Sequence, residues 1–172
     1  SAAAAIAYAL TMMRAGRADL MLVGGCEALS DPLLALIDVG QAVGQAFQPV
    51  NQPVGQASQP VNEVKAISEG AAILVLETAA HAAARGAEPL AELTGAAMLA
   101  PCRGDAGERA VIAAGSDCAR VIDAASACGH TFGASVALSA ACCAALAAEA
   151  EEPLAAVSRD GSGAVVIERW RA

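Results

Sequence analysis

The chain opens with an alanine-rich segment that leads almost directly into an apolar run. Residues 1–16 consist mainly of Ala, Leu and Met, which are strong helix formers, and Gly16 stands where a helix C-cap is expected. The run over residues 19–25 is apolar after its first residue and ends in Gly-Gly, a pattern typical of a buried strand. A helix joined to a wholly apolar strand predicts a layered α/β domain.

The rest of the chain continues this alternation of helices and strands. Asp31 and Pro32 are suited to the N-cap and first position of a short helix that reaches residue 37. Further predicted elements are strands over 68–77 and 90–98, a helix over 78–85, a polar loop over 101–109, short strands at Val111–Ile112 and Val121–Ile122, a helix from His130 to Glu149, and a closing hairpin of Pro153–Val157 and Ala164–Ile167.

The core of such a domain must be built from small side chains, because 47 of the 172 residues are Ala and aromatic residues make up 2%. A hydrophobic content of 56% excludes intrinsic disorder. The net charge is −8 and the ten Lys and Arg are scattered, which argues against nucleic acid as a partner. No apolar run reaches the ~20 residues that span a bilayer, and no basic region typical of a signal peptide precedes the first helix. We therefore expect a single domain over residues 1–172, cytoplasmic and with no membrane partner.

One segment, at about residues 41–66, breaks the pattern. Residues 43–51 and 54–62 read VGQAFQPVN and VGQASQPVN, and they agree at eight of nine positions. Gln, Pro and Gly are frequent here and no helical or strand periodicity is present, so an irregular surface loop is predicted. Two copies are too few for a solenoid.

The cysteine pattern predicts side chains packed in the core rather than a metal-binding or reactive site. They are Cys26, Cys102, Cys118, Cys128, Cys142 and Cys143. No two form a CxxC pair, and His81 and His130 do not fall at zinc-ligand spacing, so neither a metal nor another cofactor is predicted. We expect buried free thiols in a reducing compartment, with Cys128 as a small spacer before Gly129 and the adjacent pair inside a helix core.

Several segments, in the same order, resemble the C-terminal portion of the β-ketoacyl-acyl-carrier-protein synthases, which have the thiolase fold. ISEGAAILVLE (67–77) is similar to the family's GEGAAVLVLE strand, and HAAARGAE (81–88) to its HARARGA continuation. CGHTFGAS (128–135) resembles the TGHTLGAAG motif that carries a catalytic His. RAGRADLMLVGGCEAL (14–29) resembles the stretch after the catalytic Cys, and SRDGSGAVVIER (158–169) the last loop and strand. The resemblance implies a thiolase-like α/β/α fold, about half of a full synthase.

The same resemblance implies that most of the catalytic machinery is missing. The acyl-accepting Cys would fall just before Ser1, whose own terminal amine is a remote alternative nucleophile. Ala114 stands where the family's first His is expected, and Ala125 where its Lys is expected. Only His130 keeps its family identity. It is interpreted either as a relic that fills space or as a group that polarises a thioester carbonyl.

Two further sites are interpreted as structural. Glu69 precedes Gly70 and is expected to accept hydrogen bonds from backbone amides in its turn. Arg159 and Asp160 replace the apolar gate of the family's last loop and are expected at a solvated hairpin tip.

A ketosynthase-like scaffold that lacks most of the family's catalytic residues resembles the chain-length-factor subunits of type II polyketide and aryl-polyene synthases. The resemblance implies a non-catalytic subunit that pairs with a catalytic ketosynthase, shapes the acyl-chain tunnel and meets an acyl carrier protein through the complex. Half of a thiolase fold would also expose a broad apolar face, which favours obligate association. Two alternatives are a reduced enzyme that uses His130 for decarboxylation or thioester hydrolysis, and a fragment of an ordinary synthase.

Overall fold

A computed structural model describes residues 2–35, 67–99, 106–116, 119–158 and 163–171. The repeat at 43–62, Cys102, Cys118, Arg159 and Asp160 lie outside the described residues. The helices are α1 (Ala2–Arg14), α2 (Ala79–Ala84), α3 (Ala106–Ala113), α4 (Ala125–Cys128) and α5 (Ser135–Leu146), and the strands are β1 (Leu20–Glu27), β2 (Gly70–Glu77), β3 (Glu92–Met98), β4 (Arg120–Val121), β5 (Leu154–Val157) and β6 (Gly163–Glu168).

The first helix and strand form as predicted. Gly16 adopts a φ of 66° just after α1, the left-handed conformation that ends many helices. Strand β1 pairs antiparallel with β2 along its whole length, from Leu20 opposite Glu77 to Glu27 opposite Gly70. The helical segment at 31–35 begins one residue earlier than expected, because the Ser30 carbonyl accepts the Leu34 amide at 3.0 Å.

A second sheet is built from residues 92–168, within the last half of the chain. Its strand order is β3-β6-β5-β4. The closing hairpin is confirmed, since β5 and β6 pair antiparallel with Leu154 opposite Ile167. Only β4 runs parallel to its neighbour, β5.

The two sheets sandwich a layer of helices. The buried residues of α1 and α5 form one core with the facing side chains of both sheets, and seven of the fourteen buried residues in this core are Ala. Helix α3 covers the other face of the four-stranded sheet, where Ala110 and Val111 pack against Ala155, Ala164 and Val166. The prediction of a layered α/β fold is therefore confirmed.

Two sequence predictions are wrong. The strand predicted at Val111–Ile112 and the loop predicted over 106–109 are helix α3, because the buried Ala110 and Val111 give this polar segment a face that packs on the sheet. The long helix begins at Ser135, five residues after His130, and a 3₁₀ turn over Phe132–Ala134 precedes it. His130 therefore lies in a connecting segment, not at a helix N-terminus.

One face of the β1–β2 sheet is apolar and open. Leu20, Leu22, Ile73 and Val75 all point to the face away from the helix layer, and Leu22 and Ile73 are 68% and 71% exposed. Both strands are apolar on both faces, a pattern that belongs to a sheet covered on both sides. We call the exposed side, formed by these four residues, the open face. Among the described helices none is long and apolar enough to cross a membrane.

Candidate functional site

The site is centred on His130, which is 8% exposed. Its backbone forms an isolated parallel bridge with Ile67, and its carbonyl accepts the Ser68 amide at 3.1 Å. These bonds attach the His130 segment to the chain just before β2. The Ser68 hydroxyl is itself buried, and among the described residues it has no hydrogen-bond partner.

The imidazole of His130 is held by hydroxyl groups and by an aromatic ring. Ser135 Oγ lies 3.2 Å from Nδ1, and Thr131 Oγ1 lies 3.3 Å from Ser135 Oγ. The Phe132 ring is tilted by 60° against the imidazole, with the ring centroids 4.8 Å apart. The ring of His130 is therefore fixed from two directions.

The turn that follows His130 is strained and is fastened from a distant part of the chain. Phe132 has a φ of 40°, the left-handed region that costs a non-glycine residue of order 1–3 kcal/mol. Glu27, at the end of β1, accepts the Gly133 amide at 3.1 Å across 106 positions of sequence. Such strain persists only where the surroundings impose it, and the Glu27 carboxylate is one group that does so.

Gly25 brings the beginning of α1 to the same place. A Cβ built at Gly25 would lie 2.7 Å from the Gly133 carbonyl oxygen and 3.1 Å from the Ala2 Cβ. Only glycine permits this close approach of three segments. The structure thus joins the N-terminus of α1, the end of β1 and the His130 turn.

A second carboxylate stabilises the adjoining loop. Glu69 accepts the Leu29 amide at 3.2 Å, just after β1. The prediction that Glu69 binds a backbone amide is correct in kind, but the amide belongs to a loop 40 positions away rather than to its own turn.

Ala114 and Ala125, which the resemblance placed at catalytic positions, lie in apolar or backbone surroundings. Ala114 is buried in the cluster beneath α3, and its carbonyl oxygen would lie 1.7 Å from a Cβ on Gly95. Ala125 opens α4, where its amide bonds to the Asp123 carboxylate at 3.0 Å. Neither methyl group can exchange a proton with His130.

The cysteines differ from the prediction of buried thiols. Of the four in the described residues, Cys26, Cys128 and Cys142 are exposed and only Cys143 is buried. Cys26 lies on the outward side of β1, and adjacent helix positions such as 142 and 143 face different directions, so only one can enter the core. Burial raises the pKa of Cys143 to about 12, so this thiol is unreactive.

A charged cluster lies at the end of β2, away from the His130 site. Arg85 donates to both oxygens of Glu77, at 2.6 and 2.7 Å, and His81 Nδ1 contacts the same carboxylate. Hydrogen bonding by Arg85 lowers the pKa of Glu77 to about 2. His81 is engaged here, so it does not take part in the His130 site.

Comparison with known proteins shows a family similarity over the first part of the chain. Residues 1–82 match the family described as the β-ketoacyl synthase, N-terminal domain. The first 82 residues of the chain, just under half of its length, are thus similar to this family. Nodulation protein E of Rhizobium meliloti is 38% identical over 100 residues, and its counterpart in Rhizobium sp. strain N33 is 35% identical over 100 residues. These matches cover 58% of this chain and 23% of each relative, so the aligned part spans about a quarter of the curated relatives.

Solved ketosynthase structures have a similar fold. A β-ketoacyl synthase from Burkholderia phymatum superposes with a TM-score of 0.70 at 23% identity, covering 99% of this chain and 60% of the synthase. The ishigamide ketosynthase/chain length factor gives a TM-score of 0.68 at 18% identity and covers 99% and 59%. The chain has the thiolase-like ketosynthase fold, and it corresponds to part of a ketosynthase. The family match is to the N-terminal domain, so the segments at 14–29 and 67–77 are similar to that domain and not to the C-terminal portion named from the motifs.

Sequence reasoning found His130 but missed the groups around it. Glu27, Thr131, Phe132 and Ser135 were not singled out, although three of them stand within the quoted CGHTFGAS motif. A carboxylate at the end of an apolar strand was the one available signal for Glu27, since such a charge needs a partner.

Proposed function

We propose that the protein is a non-catalytic, chain-length-factor-like subunit that pairs with an active β-ketoacyl synthase in the cytoplasm and shapes the tunnel for the growing acyl chain. The observation that carries the proposal is the replacement of two family catalytic residues by alanine. By the resemblance, Ala114 stands at the position of the family's first His and Ala125 at the position of its Lys. General acid–base catalysis needs a group that can pass the proton on, and a methyl group cannot.

Pairing with a second ketosynthase-type chain is supported by the open face. A two-stranded sheet is at best marginally stable by itself, and the open face exposes four large aliphatic side chains in one patch. A partner that covers this patch would gain most from Leu22 and Ile73, the most exposed of the four. One further structure with a similar fold is a type II polyketide acyl-carrier protein in complex with its ketosynthase, with a TM-score of 0.65 at 23% identity. It supports an acyl-carrier protein as the additional component of the proposed complex.

The pairing is tested by co-purification of the tagged chain from its native host with surface variants. Leu22→Asp and Ile73→Asp should each abolish recovery of a ketosynthase subunit. Leu90→Asp is the matched control, because Leu90 is 78% exposed but lies in the connection before β3. Equal recovery with all three variants would contradict the proposed interface, and failure of the wild-type chain to recover any ketosynthase would contradict the function.

The non-catalytic role is tested with radiolabelled acyl-carrier protein and the assembled complex. We expect label on the partner and none on this chain. A stable thioester at any of its six cysteines would overturn the proposal.

A second candidate function is a reduced enzyme that decarboxylates a malonyl thioester. It is favoured by one observation: His130 is buried, oriented by hydroxyls and followed by a strained residue, and strain of this kind clusters at functional sites. Release of CO₂ from malonyl-carrier protein decides between the two functions. If His130 is catalytic, His130→Ala should lower kcat about 100-fold, and His81→Ala should leave it unchanged. If the chain is non-catalytic, neither variant alters the background rate.

A further inference from the structure

We infer that a cavity beside helix α3 binds a short aliphatic amino alcohol, whose ammonium group pairs with Glu108 and whose hydroxyl group bonds to Ser116. The cavity has a volume of about 300 Å³, at the lower end of the range of small-molecule sites in proteins. It lies on the side of the four-stranded sheet that α3 covers, at the edge formed by β4. The inference involves neither His130 nor the open face, so it stands independently of the proposed function.

The walls of the cavity are aliphatic. Val111 and Ile112 of α3 line it together with Val121 of β4 and Val157 of β5. Ile112 and Val121 are each 54% exposed, so a ligand that covers them removes apolar surface from water. An aliphatic chain gains from this contact without needing polar partners, and it therefore suits the middle of the cavity.

One end of the cavity holds a buried hydroxyl group. Gly115, with a φ of 98°, follows α3 and donates its amide to the Ile112 carbonyl at 2.9 Å. The Ser116 amide donates to the Val111 carbonyl at 3.2 Å, and the two bonds form a Schellman motif that fixes Ser116 at the C-terminal end of the helix. Ser116 is 8% exposed and lines the cavity, and its hydroxyl has no hydrogen-bond partner among the described residues. A ligand hydroxyl can supply that partner, because it both donates and accepts.

The other end of the cavity carries a negative charge. Glu108 lies in the first turn of α3, and among the described residues that line the cavity it alone is charged. A helix N-terminus carries about half a positive charge, so the full charge of the carboxylate leaves this end negative. Arg120 of the neighbouring β4 pairs with Glu152 at 3.1 Å and is engaged there. An ammonium group is therefore attracted to this end, and a ligand carboxylate is repelled.

The two polar ends set the length and the charge pattern of the ligand. Six residues separate Glu108 from Ala114 at the end of the helix, a rise of roughly 9 Å, which is about the span of a six-carbon chain. A second charge at the Ser116 end would be buried beside a neutral hydroxyl at high cost, which argues against a diamine. The cavity thus favours an ammonium group, an aliphatic chain and an uncharged hydroxyl, in that order.

Titration of the full chain with ω-aminohexanol, followed by methyl NMR of the valines, tests the inference in whatever assembly the chain forms. We expect shifts at Val111, Val121 and Val157, with a Kd on the order of 1 mM for a ligand of about eight non-hydrogen atoms. Hexylamine lacks the hydroxyl and should bind about three- to tenfold more weakly. Hexanol lacks the ammonium group and should bind about two- to fivefold more weakly. The carboxylate analogue, ω-hydroxyhexanoate, should not bind.

Two variants locate the ends of the ligand. Ser116→Ala should weaken the binding of aminohexanol about three- to tenfold and leave that of hexylamine unchanged. Glu108→Gln should weaken the binding of aminohexanol about two- to fivefold and leave that of hexanol unchanged. Ser126→Ala and Glu149→Gln are the matched controls, because both residues are exposed and neither lines the cavity. They should leave all affinities unchanged.

The ligand series on the wild-type chain decides the question even where a variant fails to fold. No binding of aminohexanol up to ~10 mM, or equal affinity for hydroxyhexanoate, would overturn the inference. An unchanged affinity for aminohexanol in folded Ser116→Ala or Glu108→Gln would overturn it as well.

Discussion

Removing the Glu27 carboxylate should release the turn that carries His130. Glu27 Oε2 accepts the Gly133 amide at 3.1 Å, and this bond lies next to the left-handed Phe132. A hydrogen bond to a charged group contributes ~1.5–3 kcal/mol, and each ~1.4 kcal/mol is a factor of ten in an equilibrium constant. In Glu27→Ala the amide of Gly133 should therefore exchange with solvent roughly ten- to hundredfold faster, because local opening becomes that much easier.

Hydrogen exchange of the peptide around residues 129–136, followed by mass spectrometry, measures this effect in whatever assembly the chain forms. Glu27→Gln keeps an acceptor without its charge and should show an intermediate, several-fold acceleration. Glu69→Ala is the matched control, because Glu69 holds the Leu29 amide in the neighbouring loop. It should accelerate exchange at Leu29 and leave Gly133 unchanged. If Glu27→Ala alters Gly133 by less than twofold, or if Glu69→Ala has the same effect there, the reasoning is refuted.

Three other predictions concern the core and the charged cluster. Iodoacetamide at mildly alkaline pH should modify Cys142 and spare Cys143, whose pKa is raised to about 12 by burial, and peptide mass mapping checks this; modification of both at equal rates would contradict it. Ile6 is fully buried, so Ile6→Ala should lower the free energy of unfolding in urea by ~2–5 kcal/mol and Ile6→Val by ~0.5–1.5 kcal/mol. Similar losses in the two variants would contradict this expectation and mean that the site collapses around the cavity. The pKa of Glu77 falls from 4.5 to about 2 on folding. Its pairing with Arg85 therefore stabilises the folded protein above pH 4.5, and this stabilisation is lost as the pH falls towards 2. Between these pH values the melting temperature of Arg85→Ala should depend less on pH than that of the wild type.

The sequence alone predicts the elements in which the local hydrophobic pattern and the burial in the fold agree. Helix α1, strand β1 and the β5–β6 hairpin each combine one hydrophobic period with a clear stop signal, such as Gly16. Helix α3 was missed because its buried side is only as wide as Ala110 and Val111, and the rest of the segment is polar. That helix is stabilised by the sheet beneath it, which local sequence does not reveal.

The surroundings of His130 were beyond local reasoning for a different cause. Propensity continues α5 backwards to His130, but the bond between Glu27 and the Gly133 amide and the bridge to Ile67 hold that stretch in another conformation. Both partners lie more than 60 positions away, so no window of sequence contains them. The exposure of Cys26, Cys128 and Cys142 could not be predicted for the same reason, since exposure depends on which face of an element meets a neighbour.

The alanine layer between the sheets changes how this protein can be dissected and how it can vary. Ala3, Ala137 and Ala140 are fully buried there, so an alanine scan, the usual way to rank core positions, has almost nothing to remove. The informative changes are enlargements: Ala137→Val or Ala140→Val adds methyl groups where two sheets meet one helix, at a cost of ~1–3 kcal/mol. These positions act as spacers that set the distance between the sheets. At these three positions the thickness of the middle layer leaves room only for the smallest side chains, although the same layer also holds Ile6 and Val136.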